Sequence, residues 1–154
     1  MSLLELNNLN RWTIKWRKEN NNIVFTNGCF DLLHQGHIDL LSKAYSYGDI
    51  LIVGLNSDRS VRQIKGKNRP IQNESVRSKN LLNLKYVNYV IIFDSETPEE
   101  LINTIMPHVL VKGGDYNKST IVGAKEVIAN GGRVEIVPLT QGYSTSAIIK
   151  SQKR

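Results

Sequence analysis

The 154-residue sequence lacks the features that mark secreted and membrane proteins. It contains one cysteine, Cys29, so no disulfide can form within the chain. The longest apolar runs, Tyr89 to Phe93 and Ile50 to Leu55, are far shorter than the roughly 18 residues typical of a membrane span. No charged start followed by an apolar stretch resembles a signal peptide. We therefore expect a globular cytoplasmic protein with no membrane partner.

Acidic residues are scarce in one part of the chain. The whole sequence has 20 Lys and Arg against 14 Asp and Glu, a formal net charge of +6. Residues 59–79, called here the basic window, contain seven basic residues and one acid, so they hold the entire surplus. A surplus of this kind is typical of proteins that bind nucleic acid, membrane surfaces or small anions. The window has no aromatic side chain on which bases could stack, which argues against nucleic acid.

Short apolar runs alternate with helical patterns along the chain. The runs predict strands at 23–26, 50–55, 90–93, 109–111 and 134–137. Helices are predicted over 3–18, from about 38 to 48, and over 73–84, 97–107 and 121–130, with a last one from about 144. Apolar strands that alternate with helices form a parallel sheet covered on both faces. The predicted fold class is thus α/β, a single Rossmann-like parallel sheet flanked by helices.

The basic window and its surroundings carry further predictions. Most of the window is expected to be a solvated loop, because charged residues are mostly exposed. Asn73 is a candidate helix cap, with Val76, Leu81 and Leu84 on the inner side of the helix that follows. Thr97, Pro98 and Glu100 predict a capped start for the next helix. No linker divides the chain, so we expect one domain over 1–154, with an N-terminal helix in 1–20 and a core over 23–150.

The segment after the first predicted strand concentrates chemically useful groups. Residues 26–37 read Thr-Asn-Gly-Cys-Phe-Asp-Leu-Leu-His-Gln-Gly-His. His34 and His37 open a helix, where imidazoles and helix amides can bind one anion, and Gly28 and Gly36 let the backbone approach a phosphate. The same histidines could bind a metal or simply begin a helix. The remaining histidine, His108, lies at a predicted strand start and offers no third metal ligand of fitting spacing.

A second hydroxyl-rich turn lies near the C-terminus, in Gly142-Tyr143-Ser144-Thr145-Ser146. Its hydroxyls and amides, at the start of a helix, suit the outer phosphates of a nucleotide, although a serine cap alone would look the same. In this order the two motifs resemble the HxGH nucleotidyltransferase superfamily, through Gly28, Phe30-Asp31, His34-Gln35-Gly36-His37 and residues 142–146. The resemblance covers nearly all of residues 23–150.

Within this superfamily the chain is most similar to the adenylyltransferases that make ADP-heptose from a heptose 1-phosphate. Residues 26–28, 65–70 and 111–116 carry that likeness. The cytidylyltransferase relatives have an arginine where this chain has Leu139, and an acid where it has Gly114, which counts against cytosine. The resemblance therefore implies an enzyme that joins the AMP part of ATP to a heptose 1-phosphate and releases pyrophosphate, for lipopolysaccharide core or related glycan synthesis. It also implies Mg²⁺ with ATP and a homodimer.

The resemblance implies roles for individual residues. His34, His37 and Lys65 would be catalytic, and Arg69 and Arg77 would bind the sugar phosphate or hold the loop. The implied nucleotide-binding residues are Asn27, Gly28, Cys29, Phe30, Asp31, Gly36, Lys112, Gly113, Gly114, Asp115, Gly142, Tyr143, Ser144, Thr145 and Ser146. Asp31 could orient a turn or a histidine, or lie near a metal-bound water; no metal ligands are evident from the spacing. Cys29 is expected to line the nucleotide site without acting as a nucleophile.

Two other hypotheses remain open on the sequence alone. The chemistry could be kept with other substrates, as in a cytidylyltransferase for glycerol phosphate or another small phosphate. The chain could also be a nucleotide- or nucleic-acid-binding module without catalysis, which the basic surplus would favour.

Overall fold

Six parallel strands form the centre of the molecule in a computed structural model that describes residues 2–114 and 117–138. The strands are β1 (Ser2–Leu4), β2 (Ile23–Gly28), β3 (Ile50–Asn56), β4 (Tyr89–Phe93), β5 (Val109–Gly113) and β6 (Arg133–Val137). They lie in the order β1-β4-β3-β2-β5-β6. The chain runs outward from β2 to β4 and then returns to the other side of β2, so the strand order reverses between β2 and β5. The predicted parallel α/β sheet is confirmed.

Helices cover both faces of this sheet. They are α1 (Leu9–Lys18), α2 (Gln35–Tyr45), α3 (Asp58–Lys65), α4 (Glu74–Leu82), α5 (Glu99–Ile105) and α6 (Ala124–Ala129). Alternate residues of β2 point to opposite faces: Phe25 packs in a cluster with residues of α1, α5 and α6, while Val24 packs in a cluster with residues of α2 and α4. Two buried cores explain why the central strands are apolar throughout.

The first residues of the chain differ from the predicted helix over 3–18. Residues 2–4 form the edge strand β1, with Ser2 N donating to Asn88 O at 3.1 Å, and a 3-10 turn (Leu6–Asn8) precedes α1. Leu3 and Leu6 are 48% and 50% exposed, whereas Leu9 is fully buried. The helical spacing of the first leucines was therefore misleading, because pairing with β4 satisfies this backbone instead.

Arg59, Arg62, Lys67 and Lys79 of the basic window are exposed, as expected, but the window is partly helical and not one loop. Its first part is α3, which begins after Ser57, whose Oγ accepts a hydrogen bond from Ser60 N at 3.1 Å. A loop over 66–73 then leads to α4. Asn73 caps α4 as predicted, since its Oδ1 accepts from Val76 N at 2.9 Å. The side chain of Val76 is 41% exposed, so its predicted place on the inner side was wrong.

The later helices are shorter than predicted. α5 begins at Glu99, with Pro98 in the N-cap position and no side-chain cap, so the expected capping by Thr97 is wrong. Pro98 has no N–H that needs a hydrogen-bond partner. α6 begins only after Gly123, whose φ of 84° interrupts the predicted helix over 121–130. The last predicted helix, from about 144, lies outside the described residues. None of the described helices combines the length and apolar character needed to cross a membrane.

Candidate active site

The point where the strand order reverses opens a crevice at the carboxyl ends of β2 and β5. β2 pairs with β3 over six residue pairs but with β5 over only two. Lys112, near the end of β5, donates from Nζ to Asn27 Oδ1 of β2 at 3.4 Å, and burial lowers the pKa of Lys112. Ligands of doubly wound sheets bind at such a reversal. A half-buried cation thus lies where an anionic ligand would enter.

Two glycines allow close packing around this crevice. A Cβ on Gly28 would lie 3.0 Å from the Phe30 ring, and one on Gly113 would lie 3.2 Å from Leu40 of α2. The predicted nucleotide-site residues that the structure describes all lie at the ends of β2 and β5 or at the start of α2: Asn27, Gly28, Cys29, Phe30, Asp31, Gly36, Lys112, Gly113 and Gly114. Asp115 and residues 142–146 lie outside the described part.

The two histidines cap the N-terminus of α2 reciprocally. His34 is the N-cap residue, and its Nδ1 accepts a hydrogen bond from Gly36 N at 3.1 Å. The Nδ1 of His37 accepts from the backbone N–H of His34 at 3.2 Å. The two rings stack with centroids 3.8 Å apart and planes inclined by 24°. This is a capping box built from imidazoles, a role that usually falls to Ser or Thr with Glu or Gln.

This capping fixes the chemical form of both imidazoles. A nitrogen that accepts a hydrogen bond carries no proton, so each neutral ring carries its proton on Nε2. Burial, together with the nearby His34, lowers the pKa of His37 to about 4, although Asp31 opposes the shift. Burial also lowers the pKa of His34. Near neutral pH the pair therefore offers two Nε2–H donors without placing two positive charges 3.8 Å apart.

Asp31 fastens the loop of the basic window to the histidine turn. Its side chain is 1% exposed, and its oxygens accept hydrogen bonds from Arg69 Nε at 3.0 Å, Ile71 N at 2.7 Å and Gln72 N at 3.0 Å. Phe30 on one side of Asp31 has a left-handed backbone, with φ 48°, which costs free energy for a non-glycine residue. Of the three roles left open for Asp31, the structure places it in holding backbone.

The predicted cations Lys65 and Arg69 lie on this loop side of the site. Lys65 ends α3 and is exposed, while the Arg69 side chain is 15% exposed and paired with Asp31. Burial raises the pKa of the Cys29 thiol, and the charges of Lys65, Arg77 and Arg69 partly oppose that rise. Because charge effects fade with distance, these cations lie near the turn after β2. The Cys29 thiol therefore stays protonated near neutral pH.

The structure corrects the sugar-phosphate role considered for Arg77. Its side chain is fully buried, with Nε donating to Gln72 O at 2.9 Å and Nη1 to both Cys29 O and Asn56 O at 2.8 Å. Its Nη2 donates to Asp58 Oδ1 at 2.8 Å. No face of this guanidinium is open to a substrate, so Arg77 holds the loop, the other role predicted for it.

The remaining features delimit the site. His108 lies at the amino ends of the strands, where its Nδ1 accepts from Ile23 N at 2.9 Å, so it is not a ligand near the histidine pair.

Within residues 2–114 and 117–138, no group of three or more His, Cys, Asp and Glu side chains could hold a metal ion. Mg²⁺ is commonly held by one or two carboxylates together with substrate phosphates, so it needs no cluster of that size. A separate cavity of about 200 Å³ lies beyond β4, lined by Leu6, Asp94, Pro98 and Leu101 among others.

Sequence reasoning gave no role to Gln72 or Asn56. The Gln72 side chain accepts hydrogen bonds from Leu32 N and Asn80 Nδ2, both at 3.4 Å, so it bridges the histidine turn and α4. Asn56 is 3% exposed and its Oδ1 lies 3.9 Å from the Cys29 sulfur. Asn56 follows the predicted strand over 50–55 and precedes the helix cap Ser57, and this position indicates a residue of the site. Nothing in the sequence singles out Gln72.

A doubly wound sheet with a half-buried lysine and paired imidazole donors at its reversal point defines a nucleotide-binding domain suited to phosphate chemistry. Residues 25–151 match the family described as cytidylyltransferase-like. The chain therefore belongs to this family and is a nucleotidyltransferase, as the motifs predicted.

Among its curated relatives are two proteins named bifunctional protein HldE. The one from Koribacter versatilis is 54% identical over 136 residues, covering 88% of this chain and 28% of that protein. The one from Geobacter metallireducens is 56% identical over 127 residues, covering 82% and 26%. The chain thus spans little more than a quarter of the length of these relatives.

Two solved structures are also similar. A lipopolysaccharide core biosynthesis protein from Thermoplasma volcanium has a TM-score of 0.64 and 26% identity, covering 80% of this chain and 99% of that one. A pantoate-beta-alanine ligase from Francisella tularensis has a TM-score of 0.62 and 15% identity, covering 99% and 77%. At that identity the second likeness supports the fold alone.

Proposed function

We propose that the chain joins the AMP part of ATP to a heptose 1-phosphate, giving ADP-heptose and pyrophosphate. The observation that carries this proposal is the stacked pair His34 and His37, which offers two Nε2–H donors at the start of α2 beside the reversal point of the sheet. Donors fixed in this way stabilise charge that develops on a phosphoryl group during transfer.

The reaction is an in-line displacement at the α-phosphorus of ATP. An oxygen of the sugar 1-phosphate attacks that phosphorus, a new phosphoanhydride bond forms, and the bond to the β-phosphate breaks as pyrophosphate leaves. The attacking phosphate is already an anion near neutral pH, so the protein needs no general base. Catalysis then depends on positioning and on stabilising the negative charge of the transition state.

The neutral histidines and three cations near the crevice each have a place in this scheme. His34 and His37 donate from Nε2 to the α-phosphate and its bridging oxygen, while the amides at the start of α2 face the same anion. Lys112 offers charge from the β5 side. Lys65, which is exposed, moves as a point charge to the triphosphate and the departing pyrophosphate, and Arg69 is the candidate for the sugar phosphate.

Further parts of the proposal go beyond the described residues. Asp115 and the turn Gly142, Tyr143, Ser144, Thr145 and Ser146 stay predictions, with the turn expected to hold the outer phosphates. Mg²⁺ would arrive on the phosphates of ATP, where it neutralises charge. We further propose a catalytic core over 23–150, a homodimer, and a cytoplasmic enzyme.

The choice of heptose and adenine rests on similarity. Residues 26–28 and 65–70 resemble heptose 1-phosphate adenylyltransferases, and the Thermoplasma volcanium neighbour is named for lipopolysaccharide core biosynthesis. The family description, in contrast, names cytidylyl transfer, so CTP with glycerol phosphate is the main rival.

A substrate panel tests the proposal. ATP and CTP are each paired with heptose 1-phosphate and with glycerol phosphate, and pyrophosphate release is followed in every combination. We expect turnover with ATP and heptose 1-phosphate, and its loss in His37→Ala. Turnover only with CTP and glycerol phosphate would overturn the substrate assignment. Release that is unchanged in His37→Ala would overturn the assigned site.

A further inference from the structure

One buried charge has no direct part in the transfer just described. Arg77 is fully buried in α4, yet its guanidinium donates to four acceptors on four different segments. A buried arginine is costly to desolvate unless it is paired and hydrogen-bonded, and this one is. These four hydrogen bonds connect α4 to the segments that surround it.

Arg77 contacts the segment that carries Lys65 and Arg69 at both of its ends. At the start, Nη2 donates to Asp58 Oδ1, in the first turn of α3. At the far end, Nε donates to Gln72 O, immediately before the cap of α4. One side chain therefore fixes where the segment leaves the sheet and where it returns.

The same guanidinium anchors these ends to the sheet. Its Nη1 donates to Cys29 O, directly after β2, and to Asn56 O, the last residue of β3. Both carbonyls lie at the carboxyl ends of neighbouring central strands. The segment is thereby held to the part of the sheet from which the histidine turn begins.

A second set of hydrogen bonds, accepted by Asp31, holds the same loop. The backbone N–H of Gln72 donates to Asp31 Oδ1 at 3.0 Å, while the backbone carbonyl of Gln72 accepts from Arg77 Nε at 2.9 Å. Asp31 belongs to the turn that leads to His34 and His37. The loop is therefore connected through one residue, Gln72, to the histidine turn and to Arg77.

We propose that Arg77 is a positioning residue of nucleotidyl transfer, acting through the segment 57–73 to hold Lys65 and Arg69 against the histidine turn. The inference rests on the proposed roles of those two cations. Lysine cannot replace Arg77, because a single ammonium group lacks the planar fork that reaches acceptors in several directions.

A double-mutant cycle between Arg77→Met and Lys65→Ala tests this role. Affinity for ATP is measured by calorimetry, and kcat/KM by pyrophosphate release with the substrates that the wild type turns over. We expect Lys65→Ala alone to weaken ATP binding about tenfold. In the Arg77→Met background, Lys65→Ala should weaken binding less than about twofold, because the effects of substitutions within one network do not add. Arg77→Lys is expected to behave like Arg77→Met. Lys79→Met, an exposed basic residue on the same helix, should match the wild type.

Several outcomes would overturn the proposal. Equal effects of Lys65→Ala in both backgrounds would mean that Arg77 contributes only to stability, and full activity in Arg77→Lys would mean that charge alone suffices. If Arg77→Met does not fold by circular dichroism, Asp58→Ala takes its place, since the Asp58 side chain is 27% exposed and its loss frees one end of the segment. An undiminished Lys65→Ala effect in Asp58→Ala would also contradict the proposal. ATP binding needs no sugar, so a failed heptose assignment leaves this result unaffected.

Discussion

Replacing His37 with asparagine separates two functions of one imidazole. The Asn side chain keeps an acceptor near the position of Nδ1, which receives the His34 N–H at 3.2 Å, but it has no donor where Nε2 lies. Loss of one donor that stabilises developing charge costs about 2.7–4 kcal/mol, so we expect kcat/KM to fall roughly 100- to 1,000-fold. The helix cap survives, so the free energy of unfolding should change by less than about 1 kcal/mol.

The assay combines steady-state pyrophosphate release near neutral pH with urea unfolding followed by circular dichroism. His37→Ala removes the cap as well as the donor, and should lose a further 0.5–2 kcal/mol or so of stability. Gln35→Ala, at the exposed neighbouring position, is the matched control and should keep activity near that of the wild type. If His37→Asn retained more than about a tenth of the wild-type kcat/KM, the donor role assigned to Nε2 would be refuted.

Three other predictions follow from buried groups. The pKa of His37 is about 4 in the folded protein, against 6.5 in the unfolded chain, so unfolding takes up a proton between those pH values. The free energy of unfolding of the wild type should therefore fall by about 2–3 kcal/mol as pH falls from 6.5 to 4. An equal loss in His37→Asn, measured by urea unfolding, would contradict this prediction. Asp31→Ala leaves the Arg69 guanidinium and two backbone N–H groups without their acceptor, so the free energy of unfolding should fall by about 3–5 kcal/mol. A change below about 1 kcal/mol would refute the idea that Asp31 holds the loop in place. Burial raises the pKa of the Cys29 thiol, so iodoacetamide should alkylate the folded protein more slowly than the urea-unfolded chain at mildly alkaline pH, and equal rates would count against this burial.

The sequence predicted most of the sheet because its central strands are buried on both faces and hence apolar throughout. It failed where backbone pairing or charge outweighed the apolar pattern. Leu3 has helical spacing to Leu6 but lies in β1, and no periodicity reveals a three-residue edge strand. α3 was missed because five of its eight residues are charged or glutamine, leaving Val61 as its buried apolar contact.

The histidine site was predictable because its chemistry depends on contiguous residues. His34, Gly36 and His37 lie within one turn, so their spacing predicts a helix start that can bind an anion, and the second motif at 142–146 favours that role over a metal or a plain cap. The function of Arg77 could not be read in this way. Charged residues are usually exposed, and only the three-dimensional structure shows that this one bridges segments far apart in the chain.

The most direct test of the central claim is an experimental structure of the chain with ATP or its nucleotide-sugar product. We predict the α-phosphate within hydrogen-bond distance, about 3 Å, of Nε2 in both His34 and His37, with Lys112 on the same anion and the sugar phosphate beside Arg69. Phosphates bound away from the histidine pair, for instance in the cavity beyond β4, would contradict the account.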